Sequence, residues 1–167
     1  MRVGFLTAPL VGGISTDDSF AARALEDRRV TVVPVDWHST LDSSLDALVM
    51  RSPWDWYHHR DEFRGFLASL GAVHPRVFNA PALLEQFADK TYFRSLERLG
   101  VSTIPTRFFR DAPDANQLAA ALEEYGWRGA VLKPTFTANA AGARRLGPTD
   151  VAEVAKAARL ASITSEW

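Results

Sequence analysis

The sequence predicts an α/β protein, with a parallel sheet and helical crossovers in its first half and an α+β unit in its second. Three observations carry this. Short apolar runs at Val3–Thr7, Val30–Val35 and Leu45–Met50 alternate with stretches whose apolar residues recur at helical spacing, the pattern of parallel strands joined by crossovers. The composition changes register near the turn Asn79-Ala80-Pro81, which divides the chain into domains at 1–79 and 80–167. Hydrophobic residues make up 47% of the 167, enough for a real core.

Val3–Thr7 (VGFLT) reads as the first strand. The loop Ala8–Ser15 holds Pro9, Gly12 and Gly13 without G-x-G-x-x-G spacing, so no dinucleotide fingerprint is present. Thr16 or Asp17 can cap a helix whose apolar face is Phe20, Ala21, Ala24 and Leu25. The second strand is Val30–Val35, with Pro34 near an edge or mouth, and the third is Leu45–Met50. Asp61 and Glu62 start a helix with Phe63, Phe66, Leu67 and Leu70 on one face, and Gly71 is its expected stop. Arg76–Phe78 is a short fourth strand.

In the second domain, Pro81–Gln86 is a short helix, and Asp89 caps another over Lys90–Leu99 that ends at Gly100. Thr106–Phe109 reads as a strand. Asp114 caps a helix with Leu118, Ala121, Leu122 and Tyr125 on one face, ended by Gly126. Ala130–Leu132 is a strand, and Thr149 caps a last helix with Val151, Val154, Ala155 and Ala158 inward. The tail Ala161–Trp167 has no clear partner.

Composition excludes several classes. Cysteine is absent, which removes disulfides, thiol nucleophiles and Cys-ligated metals. The net charge of -1 argues against a nucleic-acid binder held by bulk electrostatics. No apolar run reaches membrane-spanning length and the first residues read as a strand, so the default expectation is a soluble, cytoplasmic protein with no membrane contact. His58 and His59 are adjacent and cannot share a helix face as i, i+4 ligands would. They read as solvent-facing, and no metal ligand is assigned.

Two stretches carry candidate chemistry. In AVLKPTFTANAAGARRL (130–146), an apolar run delivers Lys133 and ends at Pro134, which cannot donate a ladder hydrogen bond. The small residues Thr135, Thr137, Ala138, Asn139, Ala140, Ala141, Gly142 and Ala143 follow, and would let backbone N–H groups approach an anion such as a phosphate. The same residues also read as an ordinary hairpin with an exposed lysine. Lysine occurs at 90, 133 and 156, and every other basic residue of the 19 is arginine. Lys90 sits in a first helical turn, where the macrodipole favours anions, so an anionic ligand would compensate its placement. The second stretch is Arg51–Trp56 (RSPWDW), leaving the third strand at its carboxyl end, where open α/β sheets bind ligands. Arg51, Ser52 and Asp55 are the candidate substrate residues there, Arg51 because a guanidinium grips a carboxylate bidentately; Trp54 and Trp56 read as packing.

Taken together, FNAPALLEQFADKTYFRSLERLGVSTIPT, then AVLKP, then the small-residue flap resemble an ATP-grasp ligase. The chain is similar to the glutathione-synthetase-like branch and, within it, to the O-ureido-serine cyclo-ligase (cycloserine-forming) group. RSPWDW followed by HHRDEF resembles the preceding substrate-side domain of that group. The resemblance implies a parallel-sheet pre-ATP-grasp domain at 1–79 and the first α+β subdomain of an ATP-grasp fold at 80–167. It implies that Lys90 and Lys133 hold the phosphates of ATP and that the flap, Thr135 through Gly142, closes over them. It further implies Mg²⁺ bridging the phosphates, and a carboxylate activated as an acyl phosphate and attacked by an amine. The family's second lobe, which supplies magnesium ligands, is expected beyond Trp167, so the chain reads as incomplete before that lobe, with an oligomer or a separate C-terminal lobe as its expected partner.

Two functions stand side by side at this stage. One is an ATP-dependent ligase acting on a small carboxylate or amino-acid-like substrate. The other is a non-catalytic binding or interaction remnant of such a protein. A plain nucleotide-binding α/β domain of another family ranks lower, since no phosphate-loop fingerprint follows the first strand.

Overall fold

The computed structural model describes residues 1–74 and 76–164. The chain forms two compact units, Met1–Phe87 and Ala88–Trp167. The first is a four-stranded sheet of β1 (Arg2–Thr7), β2 (Thr31–Asp36), β3 (Ala47–Ser52) and β4 (Val77–Phe78), in the order β2-β1-β3-β4 with every pair parallel. Helix α1 (Thr16–Glu26) connects β1 to β2, and α2 (Arg60–Val73) connects β3 to β4.

Strand alternation separates two cores. Val3, Phe5, Ala47 and Ala22 of α1 cluster together, whereas Leu6, Val35, Leu48 and Met50 pack with Phe63, Leu67 and Leu70 of α2. Gly4 belongs to the α2 side. A Cβ there would lie 2.7 Å from Leu48 Cδ2 and 2.9 Å from Leu45 Cδ1, so the core closes over a position that has no side chain.

Three expectations for this unit need correction. Ser15, not Thr16 or Asp17, caps α1, accepting from the Asp18 amide at 3.1 Å. The inward face of α1 is Asp18, Ala21, Ala22 and Leu25, and Phe20 is 69% exposed. The helix is turned by Asp18, whose buried carboxylate is tied to the end of β3. Gly71 does not stop α2, which continues to Val73; the His74 amide donates to Leu70 O, and the buried His74 ring bonds Leu45 O at 2.7 Å.

Helix α3 (Pro81–Ala88) ends the first unit and reaches the first residue of the second. Then come a 3-10 turn at Lys90–Tyr92, α4 (Phe93–Arg98), α5 (Ala115–Glu124), an antiparallel pair of β5 (Ala130–Leu132) and β6 (Arg144–Leu146), and α6 (Val151–Thr164). Asp114 and Gln117 form a reciprocal capping box on α5. Leu118, Leu122, Leu146, Val154 and Ala155 make the core. The expected helix Lys90–Leu99 is thus a 3-10 turn followed by α4. The expected strand Thr106–Phe109 is not formed among the described residues. A strand needs a ladder partner, and Thr106–Phe109 pairs with neither described sheet. Of the stretch read as a tail, α6 extends through Thr164, and 165–167 lie outside the described residues. No helix among the described residues is long and apolar enough to cross a membrane.

Candidate functional site

The site in the second unit is built where the 3-10 turn meets the β5–β6 connection. Asp89 caps the turn, accepting from the Thr91 amide at 2.9 Å, and forms a single antiparallel bridge with Phe136. The Lys90 amide donates to Thr135 O at 2.9 Å, and the Lys90 ammonium donates to Thr135 O and Thr137 O. The Thr135 hydroxyl donates to Asp89 Oδ2 at 3.3 Å. Two adjacent residues of one segment thus anchor the base of the flap.

The flap itself is a tight reversal. Asn139 and Ala140 both have positive φ, at 52° and 57°, and the Ala141 amide closes the turn on Ala138 O at 2.9 Å. These are the features of a type I′ turn, whose twist suits an antiparallel pair. The Thr137 hydroxyl donates to Ala141 O at 3.0 Å from within. Gly142 has φ +73°, and a Cβ there would stand 2.9 Å from Pro134 Cγ, so glycine is required on both counts.

Burial lowers the Lys90 pKa first, and the positive charge of Lys133 lowers it further; Asp89 opposes both. A polyanion bound here would offset that repulsion. A cleft of about 1260 Å³ takes Lys90, Lys133 and Thr135 into its walls, together with apolar Ile104, Phe108 and Leu132. Thr137, Ala138, Asn139, Ala141 and Gly142 do not line it. The flap residues are held together as a turn, but only its base meets the cleft. Sequence reasoning passed over Phe136, a buried aromatic inside the flap, and the anchoring role of Asp89.

In the first unit, the three candidate substrate residues do not share one pocket. Arg51 Nε donates to Asp18 Oδ1 at 2.7 Å, and the Ser52 hydroxyl donates to Asp18 Oδ2. The guanidinium expected to take a substrate carboxylate holds one of the protein's own, because a buried carboxylate needs a counter-charge. Asp55 is engaged elsewhere, by Trp37 and His38. The Asp18 group lies at the carboxyl ends of β1 and β3, where the strand order reverses direction.

Burial pushes the Asp18 carboxyl up, but hydrogen bonds from Ser52, Ser15 and Arg51, with the Arg51 charge, bring it below its usual range. A carboxyl lowered in the folded state stabilises the fold above its unfolded pKa and loses that contribution as pH falls through the folded value. Stability measured by urea unfolding is expected to fall from about pH 5 downward. In Asp18→Asn that part of the profile should flatten, with lower stability at pH 7; an unchanged acid limb would refute the assignment.

Residues 3–79 match the family model described as D-cycloserine synthetase DcsG, N-terminal domain. The cycloserine biosynthesis protein DcsG of Streptomyces lavendulae is 36% identical over 93 residues, 54% of this chain and 30% of that protein. The crystal structure of D-cycloserine synthetase DcsG superposes with a TM-score of 0.84 at 26% identity, over 99% of this chain and 57% of that one. The chain thus has the fold of an ATP-grasp protein and is similar to the cycloserine synthetases. An ATP-grasp protein with a RimK domain from Sphaerobacter thermophilus shares the fold, with a TM-score of 0.66 at 20% identity over 99% of this chain and 61% of that one. This chain spans less than two thirds of the length of each of these relatives.

Proposed function

We propose that Lys90, Lys133 and Thr135 at the base of the flap hold the phosphates of ATP in a ligase that joins a small carboxylate to an amine, giving an amide or a cyclised product. In this reading the γ-phosphoryl group passes to the carboxylate, leaving ADP and an acyl phosphate. The amine then attacks the carbonyl carbon, phosphate departs and the amine loses a proton. The chain's residues bind and orient. The two ammonium groups offset the phosphate charge, and the cleft's apolar wall suits a flat base. Magnesium would screen the remaining charge. Asp89 is already engaged by Thr91 and Thr135, so no magnesium ligand is assigned to this chain. Arg51, with 37% of its side chain exposed, is assigned to the carboxylate substrate; Ser52 is buried and already donates to Asp18, so it serves to hold that carboxylate.

The observation that carries the proposal is the pair of like charges at one cleft, one of them half-buried. Titration calorimetry of this chain with ATP and with AMP tests it. ATP is expected to bind measurably tighter than AMP, and Lys133→Met to weaken ATP about tenfold or more while leaving AMP unchanged. Equal affinities for the two nucleotides, or an unaffected Lys133→Met, would overturn the phosphate assignment.

A further inference from the structure

A second constellation stands at the carboxyl edge of the first sheet. His38 follows β2, Asp55 follows β3, His59 is the residue before α2, and Glu62 lies in the first turn of α2. One donor atom from each of His38, Asp55 and His59 falls within 4.8 Å of the others. His38 Nε2 is 3.1 Å from Asp55 Oδ2, and the two imidazole rings meet edge-to-face with centroids 4.9 Å apart.

The surrounding groups leave the right atoms available. The Trp37 indole N–H donates to Asp55 Oδ1 at 2.7 Å, which turns Oδ2 toward the histidines. Glu62 Oε1 holds His38 Nδ1 at 2.9 Å, which leaves Nε2 facing Asp55. A histidine backed by a carboxylate and a ligating carboxylate fixed by an N–H donor are the outer arrangements that orient metal ligands.

We propose that His38, Asp55 and His59 bind a divalent transition-metal ion of the zinc type, independently of the nucleotide reading. Around a tetrahedral ion with bonds of about 2.0–2.1 Å, neighbouring donors stand roughly 3.4 Å apart. The His38–Asp55 pair is already near that spacing, and His59, whose Nδ1 also pairs with Glu62 Oε2 at 3.4 Å, supplies the third donor within 4.8 Å. Two imidazoles and one carboxylate select zinc, cobalt or nickel over magnesium or calcium, which take all-oxygen sets. Three protein ligands leave a coordination position open on the solvent side, where an anionic group of a small ligand can complete the shell. Without metal, the same atoms are held by the hydrogen bonds described, so the fold does not require the ion.

The full chain, freed of metal by chelation, is titrated with Zn²⁺ by calorimetry and with Co²⁺ followed by its visible absorption. One ion per chain is expected, with tetrahedral-type Co²⁺ bands. His59→Ala is the deciding variant, since its exposed side chain leaves the core intact; at least tenfold weaker binding is expected. Glu62→Gln should weaken binding by about tenfold, since Glu62 orients both His38 and His59. His58→Ala, altering the neighbouring exposed histidine, should match the parent. No saturable Zn²⁺ binding by the parent chain, or binding undiminished in His59→Ala, would overturn the site. Equal losses in His58→Ala and His59→Ala would also overturn it, as nonspecific surface chelation.

Discussion

Trp37→Ala is expected to lower the stability of the first unit by about 3–5 kcal/mol. Trp37 is 1% exposed and heads the fully buried side chains by volume. It meets Phe63 edge-on with centroids 5.2 Å apart and tilts against Phe66 at 5.6 Å, within the cluster that includes Leu6, Leu48 and Leu67. Alanine would leave a cavity among rings that a two-sided sheet cannot easily close. The indole also donates to Asp55, so a second loss accompanies the first. Trp37→Phe separates them. It keeps most of the packing and removes the donor, and is expected to cost about 1–3 kcal/mol. Urea unfolding followed by far-ultraviolet circular dichroism checks both. A Trp37→Ala loss below about 1 kcal/mol would mean that this ring is not central to the core.

Lys90→Met is expected to have the larger effect on the second site. Its ammonium group donates to the carbonyls of Thr135 and Thr137, so methionine deprives two flap carbonyls of their charged donor, at a cost of about 1–3 kcal/mol. Amide exchange across 135–143 should accelerate. On the proposed reading, ATP affinity should fall by about 10–100-fold as well, since a charge-assisted contact is worth about 1.5–3 kcal/mol. Lys133→Met makes the contrast. Lys133 is exposed, and its loss is expected to weaken ATP without loosening the flap. Flap exchange equal in Lys90→Met and the parent chain would show that the ammonium does not anchor it.

What the sequence discloses depends on how local the cause is. The reversal between β5 and β6 is legible because Pro134 ends a ladder and small residues mark a turn. The α5 cap is legible because Asp114 and Gln117 stand three residues apart. The rotation of α1 is not legible, because Asp18 is held by a serine 34 positions away, and helical periodicity favoured Phe20. The missing strand at Thr106–Phe109 follows from pairing, which no single segment encodes. His38 lies 17 positions from Asp55 and 24 from Glu62, so that cluster exists only once three chain segments meet. Lys90 and Lys133 stand out because lysine is scarce in this chain, but the carbonyls that hold Lys90 are visible only in the folded unit.

The strand order also has a consequence for biosynthesis. β1 leaves the ribosome first, yet it lies inside the sheet between β2 and β3. Its neighbours are complete only at Asp36 and Ser52, so at about 5–20 residues per second the nascent VGFL segment waits on the order of 2–10 seconds before both hydrogen-bonding edges can be paired. During that interval it is a natural target for chaperones that capture short apolar stretches, and slower translation through codons 8–52 would lengthen the exposure.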